Sequence, residues 1–99
     1  METKLITKKQ ANLIKIYIRK MVKFVNCDTE KESDIALDEA LHYRRRLQDF
    51  LDNAEITLIR DLAYAKGNQC SSQLTYENIF KILEIIFGIK VEEELVWKK

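Results

Sequence analysis

Residues 29–67 read TEKESDIALDEALHYRRRLQDFLDNAEITLIRDLAYAKG, and the 37 residues between Thr29 and Gly67 contain neither Gly nor Pro. The stretch opens on Thr29-Glu30-Lys31-Glu32, the spacing of a capping box, and closes on Gly67, the residue type that most often ends a helix. One helix over 30–66 is the expectation, a rod of roughly 55 Å at about 1.5 Å per residue. Leu37, Leu51, Leu58 and Ala65 recur at multiples of seven, and Ala40, Leu47 and Ala54 do the same three residues later. With Leu41, Tyr43, Phe50 and Leu62 they form a heptad stripe, interrupted at inward positions by Arg44 and Asp61. The opposite face carries Asp34, Asp38, His42, Arg45, Asp49, Asp52 and Arg60. The weakest helix formers in the rod are Asp52 to Thr57, where a bend would make two helices of one.

Outward from the rod, Thr7-Lys8-Lys9-Gln10 has capping-box spacing and predicts a helix over about 7–26. Leu13, Ile14, Tyr17, Ile18, Met21, Phe24 and Val25 share its apolar face, and Lys8, Lys15, Arg19 and Lys23 line the other. After a polar loop over 67–73, Thr75 is the expected N-cap of a helix over 76–87, with Leu74 and Ile79 in hydrophobic-staple positions. This helix is apolar almost all round, which predicts burial on several sides, and Gly88 stops it. The tail Val91 to Lys99 reads as a short fourth helix, with a β-strand at Ile89-Lys90-Val91 as the alternative. The fold class is therefore all-α: a single helical domain over 1–99, a small bundle built on a long central helix.

Hydrophobic residues make up 46% of the chain, which argues against intrinsic disorder. No apolar run is long enough to span a membrane, and Lys15 and Arg19 break the first apolar stretch, so no signal-peptide core is present. A cytoplasmic location is the default expectation. Cys27 and Cys70 lie beyond opposite ends of the rod if it is continuous, which predicts two free thiols.

The net charge is only +1, yet it is unevenly spread: Lys4, Lys8, Lys9, Lys15, Arg19, Lys20 and Lys23 face only Glu2 in the first 27 residues. The candidate binding residues for a partner or nucleic acid are Lys8, Lys15, Arg19 and Lys23 on the first helix and the Arg44-Arg45-Arg46 run. Successive residues on a helix point about 100° apart, so the three arginines do not form one patch. A helix-turn-helix over 56–87 has the right Ala-to-Gly spacing at Ala63 and Gly67, but polar Asn68 and Gln73 occupy its buried positions. His42 is the sole histidine, no Cys/His cluster has metal spacing and no Gly-rich phosphate loop exists. No catalytic residue, cofactor, metal or small-molecule substrate is expected, and the chain is not read as an enzyme.

The reading reached is a non-catalytic small regulator, inhibitor or adaptor that works by protein–protein interaction through a helical face. A rod longer than its neighbours leaves part of its stripe uncovered, so a homodimer through Leu37, Leu47, Phe50, Leu51 and Leu58 is the expected assembly. The alternative is a nucleic-acid-binding regulator that uses the basic face of the first helix.

Overall fold

The computed structural model describes residues 3–69 and 74–92. In chain order they form β1 (Lys4–Ile6), α1 (Lys8–Val25), α2 (Glu30–Leu47), α3 (Asn53–Gln69), α4 (Tyr76–Phe87) and β2 (Ile89–Val91). The fold is an all-α helical bundle with one small strand pair.

The expected rod is broken. Helix ends at Leu47, the chain winds through a tight turn in which Phe50 N and Leu51 N both donate to Leu47 O (3.1 and 2.8 Å), and helix resumes at Asn53. The cause is a capping box. Asp52 Oδ1 accepts from Glu55 N, and Glu55 Oε1 accepts from Asp52 N, both at 2.9 Å. An Asp gains more by capping than by continuing a helix, because its short side chain satisfies an amide that would otherwise be orphaned. Leu51 and Ile56, both buried, stand in the staple positions on either side of this cap. The break lies at 48–52, just ahead of the weak segment 52–57.

The other predicted caps form. Thr7 and Gln10 make a reciprocal capping box on α1, Thr29 accepts from Glu32 N, and Thr75 accepts from Asn78 N. Gly88 ends α4 in the left-handed region at φ 70°, where a side chain would be strained. The alternative reading of the segment after it prevails: Ile89–Val91 is a strand, not the start of a fourth helix, and residues 93–99 lie outside the described residues. It pairs in parallel with β1, an element the sequence did not announce, in the register Lys4 to Ile89 and Ile6 to Val91. Lys4 N donates to Gly88 O, and Glu92 N to Ile6 O. Ile6 and Ile89 are buried beneath this pair.

α1 is the central element. Its Ile14, Tyr17, Ile18 and Met21 are buried as predicted, with Leu13, Phe24 and Val25 half-buried. α2 runs antiparallel to it, pinned by Lys20 Nζ to Glu39 Oε2 at 2.7 Å. α3 runs parallel to it, because Glu55 at its start bonds Lys4 and Gly67 near its end rests on Val22 and Val25. α2 and α3 both pack on α1 and barely touch each other.

Gly67 is not the stop it was expected to be. It lies inside α3, buried where α3 crosses the end of α1, and an added Cβ would stand 3.1 Å from Val25 Cβ. Its small size permits the approach.

Two outcomes follow. Asp52→Ala lowers stability in urea unfolding by about 1 kcal/mol and Glu55→Ala by more. In a continuous rod the first change would instead stabilise, since Ala is the better helix former. Gly67→Leu, which forces α3 off Val25, costs about 2 kcal/mol in the same assay.

Candidate functional site

The break changes where every residue of the stripe points. Leu47 and Leu51 are buried in the core of the single chain, and Phe50 and Leu58 pack against that core. Leu37 is half-buried. An uncovered stripe along a continuous rod, on which dimerisation through these residues was premised, is therefore not present. The fully buried hydrophobic residues of α3 are Ile56, Ile59 and Ala63, while the expected Leu58 and Leu62 are partly buried against the core and Ala54 is exposed. A non-helical turn resets helical phase, so a heptad counted across it goes wrong on the far side.

The predicted basic residues fall into separate places. Lys8, Lys15, Arg19 and Lys23 are all exposed along α1, as expected. Lys15 Nζ lies 5.9 Å from the centre of the Phe80 ring on α4, a cation–π distance. Arg45 and Arg46 are exposed on α2, while Arg44 is half-buried. The three do not form one patch, as the 100° step requires.

Arg44 instead meets two groups the sequence did not single out together. On α2 it sits between buried Ala40 and Leu47, four residues after one and three before the other, so it is on the side of α2 that faces α1. On α3 Arg60 has the same relation to buried Ile56 and Ala63. Both guanidinium Nε atoms are buried and find no hydrogen-bond partner. Tyr17 on α1 lies within electrostatic reach of both. Its burial pushes the phenol above its ordinary value of 10.0, while the nearby charges of Arg44 and Arg60 pull it back; Tyr64 and Asp61 oppose them. Arg60 was assigned to the outer face and Asp61 to the inner one. The phase reset exchanges them: Arg60 turns towards the core and Asp61 out to solvent, with only a 3.4 Å contact between the pair. An inward arginine is legible only once the Asp52 cap is used to restart the count.

The remaining titratable groups are more dispersed. His42 is exposed and stands edge-on to Tyr43 at 5.3 Å between ring centres. It lines a surface groove of about 170 Å³ with Asp38, Leu41 and Arg45, all from α2. Lys20 holds the Glu39 carboxyl below the usual range through their hydrogen bond. Cys27 is a free thiol whose Sγ donates to Lys23 O. The ends of α1 and α3 meet at Val25 and Gly67 rather than lying apart, and Cys70 lies outside the described residues. The candidate helix-turn-helix over 56–87, already disfavoured by polar Asn68 and Gln73, loses its turn glycine as well, since Gly67 is within α3. No helix is long and apolar enough to cross a membrane among the described residues.

The largest departure is on α4. Only Ile79 and Leu83 of that helix are fully buried. Ile85 is 77% exposed and Ile86 45%, against the expectation of burial on several sides. Leu5 of β1 is 64% exposed, and the bond from Lys4 N to Gly88 O brings it to the same end of the molecule. The signal available in the sequence was the sheer number of isoleucines on α4, more than one core-facing side can hold.

Compared with known protein families, curated proteins and solved structures, the chain matches none of the three.

The Tyr17 environment predicts alkaline lability. Because its folded value is raised, its contribution to stability is complete below pH 10 and is lost as pH climbs from there towards the folded value. The loss is at most about 1.4 kcal/mol per pH unit for one proton. Urea midpoints taken at pH 9 and 11 should fall in the wild type and fall less in Tyr17→Phe.

Proposed function

We propose that this chain is a non-catalytic helical interaction protein, a small regulator, inhibitor or adaptor, and that it works through the outer face of α4. We take a second copy of the chain as the occupant of that face. One observation carries the reading: Ile85 is 77% exposed in the last turn of α4, next in sequence to exposed Ile86 and at the same end of the molecule as exposed Leu5. Removing one such side chain from water is worth about 1.5–3 kcal/mol. A cluster of large aliphatic residues at one end of a small domain is therefore a surface that favours cover.

The charges on α4 support self-pairing. Lys81 and Glu84 are both exposed beside this face. In a two-fold antiparallel pair of α4 helices with its axis between Ile82 and Leu83, Lys81 of each copy stands opposite Glu84 of the other. Isologous contacts of this kind reuse one patch on both subunits. The homodimer is thus proposed through α4 and not through the α2–α3 stripe.

A second reading rests on the exposed row Lys15, Arg19 and Lys23, which suits a phosphate backbone.

Sedimentation equilibrium tests the first reading. The wild type should reach twice the 11.7 kDa chain mass at micromolar concentration, and Ile85→Glu should remain at 11.7 kDa. Lys81→Glu and Glu84→Lys should each weaken the pair, and the double exchange should restore it. A wild type that stays at 11.7 kDa throughout contradicts the reading. Binding to duplex DNA that weakens steeply with salt and with Lys15→Glu would favour the second reading instead.

A further inference from the structure

Partly buried cations in this chain are matched with care. Lys4 Nζ meets Glu55 Oε1 at 2.8 Å, and Lys20 Nζ meets Glu39 Oε2 at 2.7 Å. Arg44 and Arg60 are treated differently. Arg44 has no ion-pair partner among the described residues, and Arg60 has only the stretched 3.4 Å contact with Asp61, whose side chain is mostly in solvent. Both sit on the α1-facing stripes of their helices, Arg44 between Ala40 and Leu47, Arg60 between Ile56 and Ala63. Each buries its Nε without an acceptor. An unsatisfied buried donor is costly, and a charged one more so. Two such donors of like charge stand on two helices that flank α1 and scarcely touch each other, both within electrostatic reach of Tyr17, with Asp61 the one carboxylate nearby among the described residues.

We propose that Arg44 and Arg60 form a site for a small tetrahedral oxyanion, inorganic phosphate or the phosphate group of a monoester, held between α2 and α3 with Tyr17 on α1 behind it. Two planar guanidinium forks, one from each wall, match the oxygens of such an anion. A bound phosphate supplies the missing acceptors and offsets the repulsion between the two cations. It also ties α2 to α3, which otherwise scarcely touch each other. The site is separate from the α4 face and does not depend on it.

Inorganic phosphate is the probe, with sodium chloride at matched ionic strength as the control. Nitrogen-detected NMR of the arginine Nε–Hε groups should show the Arg44 and Arg60 signals shifting saturably with phosphate and not with chloride. A phosphate monoester such as glycerol phosphate should act alike if the ester group is tolerated, and not at all if the site takes only the free ion. Arg44→Gln and Arg60→Gln should each weaken binding about tenfold or more, as expected for loss of a charge-assisted hydrogen bond. Arg44→Lys and Arg60→Lys keep the charge and lose the fork, so they should fall between, and they guard against a glutamine variant that fails to fold. Nε–Hε signals that ignore phosphate would overturn the proposal. So would phosphate binding that survives both glutamine changes and disappears in Arg19→Glu, which would place the anion on the outer face of α1.

Discussion

Much of this structure depends on one carboxylate oxygen. Glu55 Oε1 accepts from Asp52 N at 2.9 Å and from Lys4 Nζ at 2.8 Å, and Glu55 is the one charged residue found buried among those described, at 4% exposure. The first bond closes the cap that starts α3. The second fastens β1, and through β1 its parallel partner β2 at the far end of the described chain. A buried carboxylate is tolerable only when it is paired and hydrogen-bonded, and here one backbone amide and one ammonium both donate to its Oε1. Lys4 is itself 38% exposed, so the pair is anchored from the protein side more than from the solvent side.

That corner determines the rest of the packing. Because the chain turns back at 48–52, α2 and α3 become two separate walls against α1 instead of one rod. α3 then runs alongside α1 so closely that a Cβ added at position 67 would stand 3.1 Å from Val25 Cβ. The same turn rotates Arg60 inward to join Arg44 over Tyr17. Leu47 and Leu51 of the expected stripe are consumed internally, Ile35 and Leu41 of α2 stay exposed, and the most exposed apolar residue is Ile85 on α4.

Where local chemistry alone decides, the sequence was sufficient. Thr7 with Gln10, Thr29, Thr75 and Gly88 each act on amides or carbonyls a few residues away, so the ends they mark are found where they were expected. The apolar face of α1 was legible for the same reason: one uninterrupted helix keeps its phase. The failures share a different cause. Asp52-Asn53-Ala54-Glu55 was seen as weak helix rather than as a cap, and the heptad count was carried through it. The inward assignments beyond that point were then out of phase, which placed Asp61 inside and Arg60 outside. The β1–β2 pair was beyond local reading, since three-residue strands more than eighty positions apart are selected by the tertiary fold. Charge alone identified the exposed row on α1, but not which arginine of Arg44, Arg45 and Arg46 would turn inward.

The inward placement of Arg60, the oxyanion site proposed on it and the phase of α3 all rest on the turn at 48–52. The direct test is a distance across it. Spin labels at positions 33 and 66, in a chain with Cys27 and Cys70 changed to Ser, would lie roughly 50 Å apart on one continuous helix. In the folded-back arrangement both positions lie near the end of α1, because α2 begins there and Gly67 rests on Val25. A pulsed-EPR distance under about half the continuous-helix value is the predicted result. A distribution centred near the full length would contradict the turn and everything built on it.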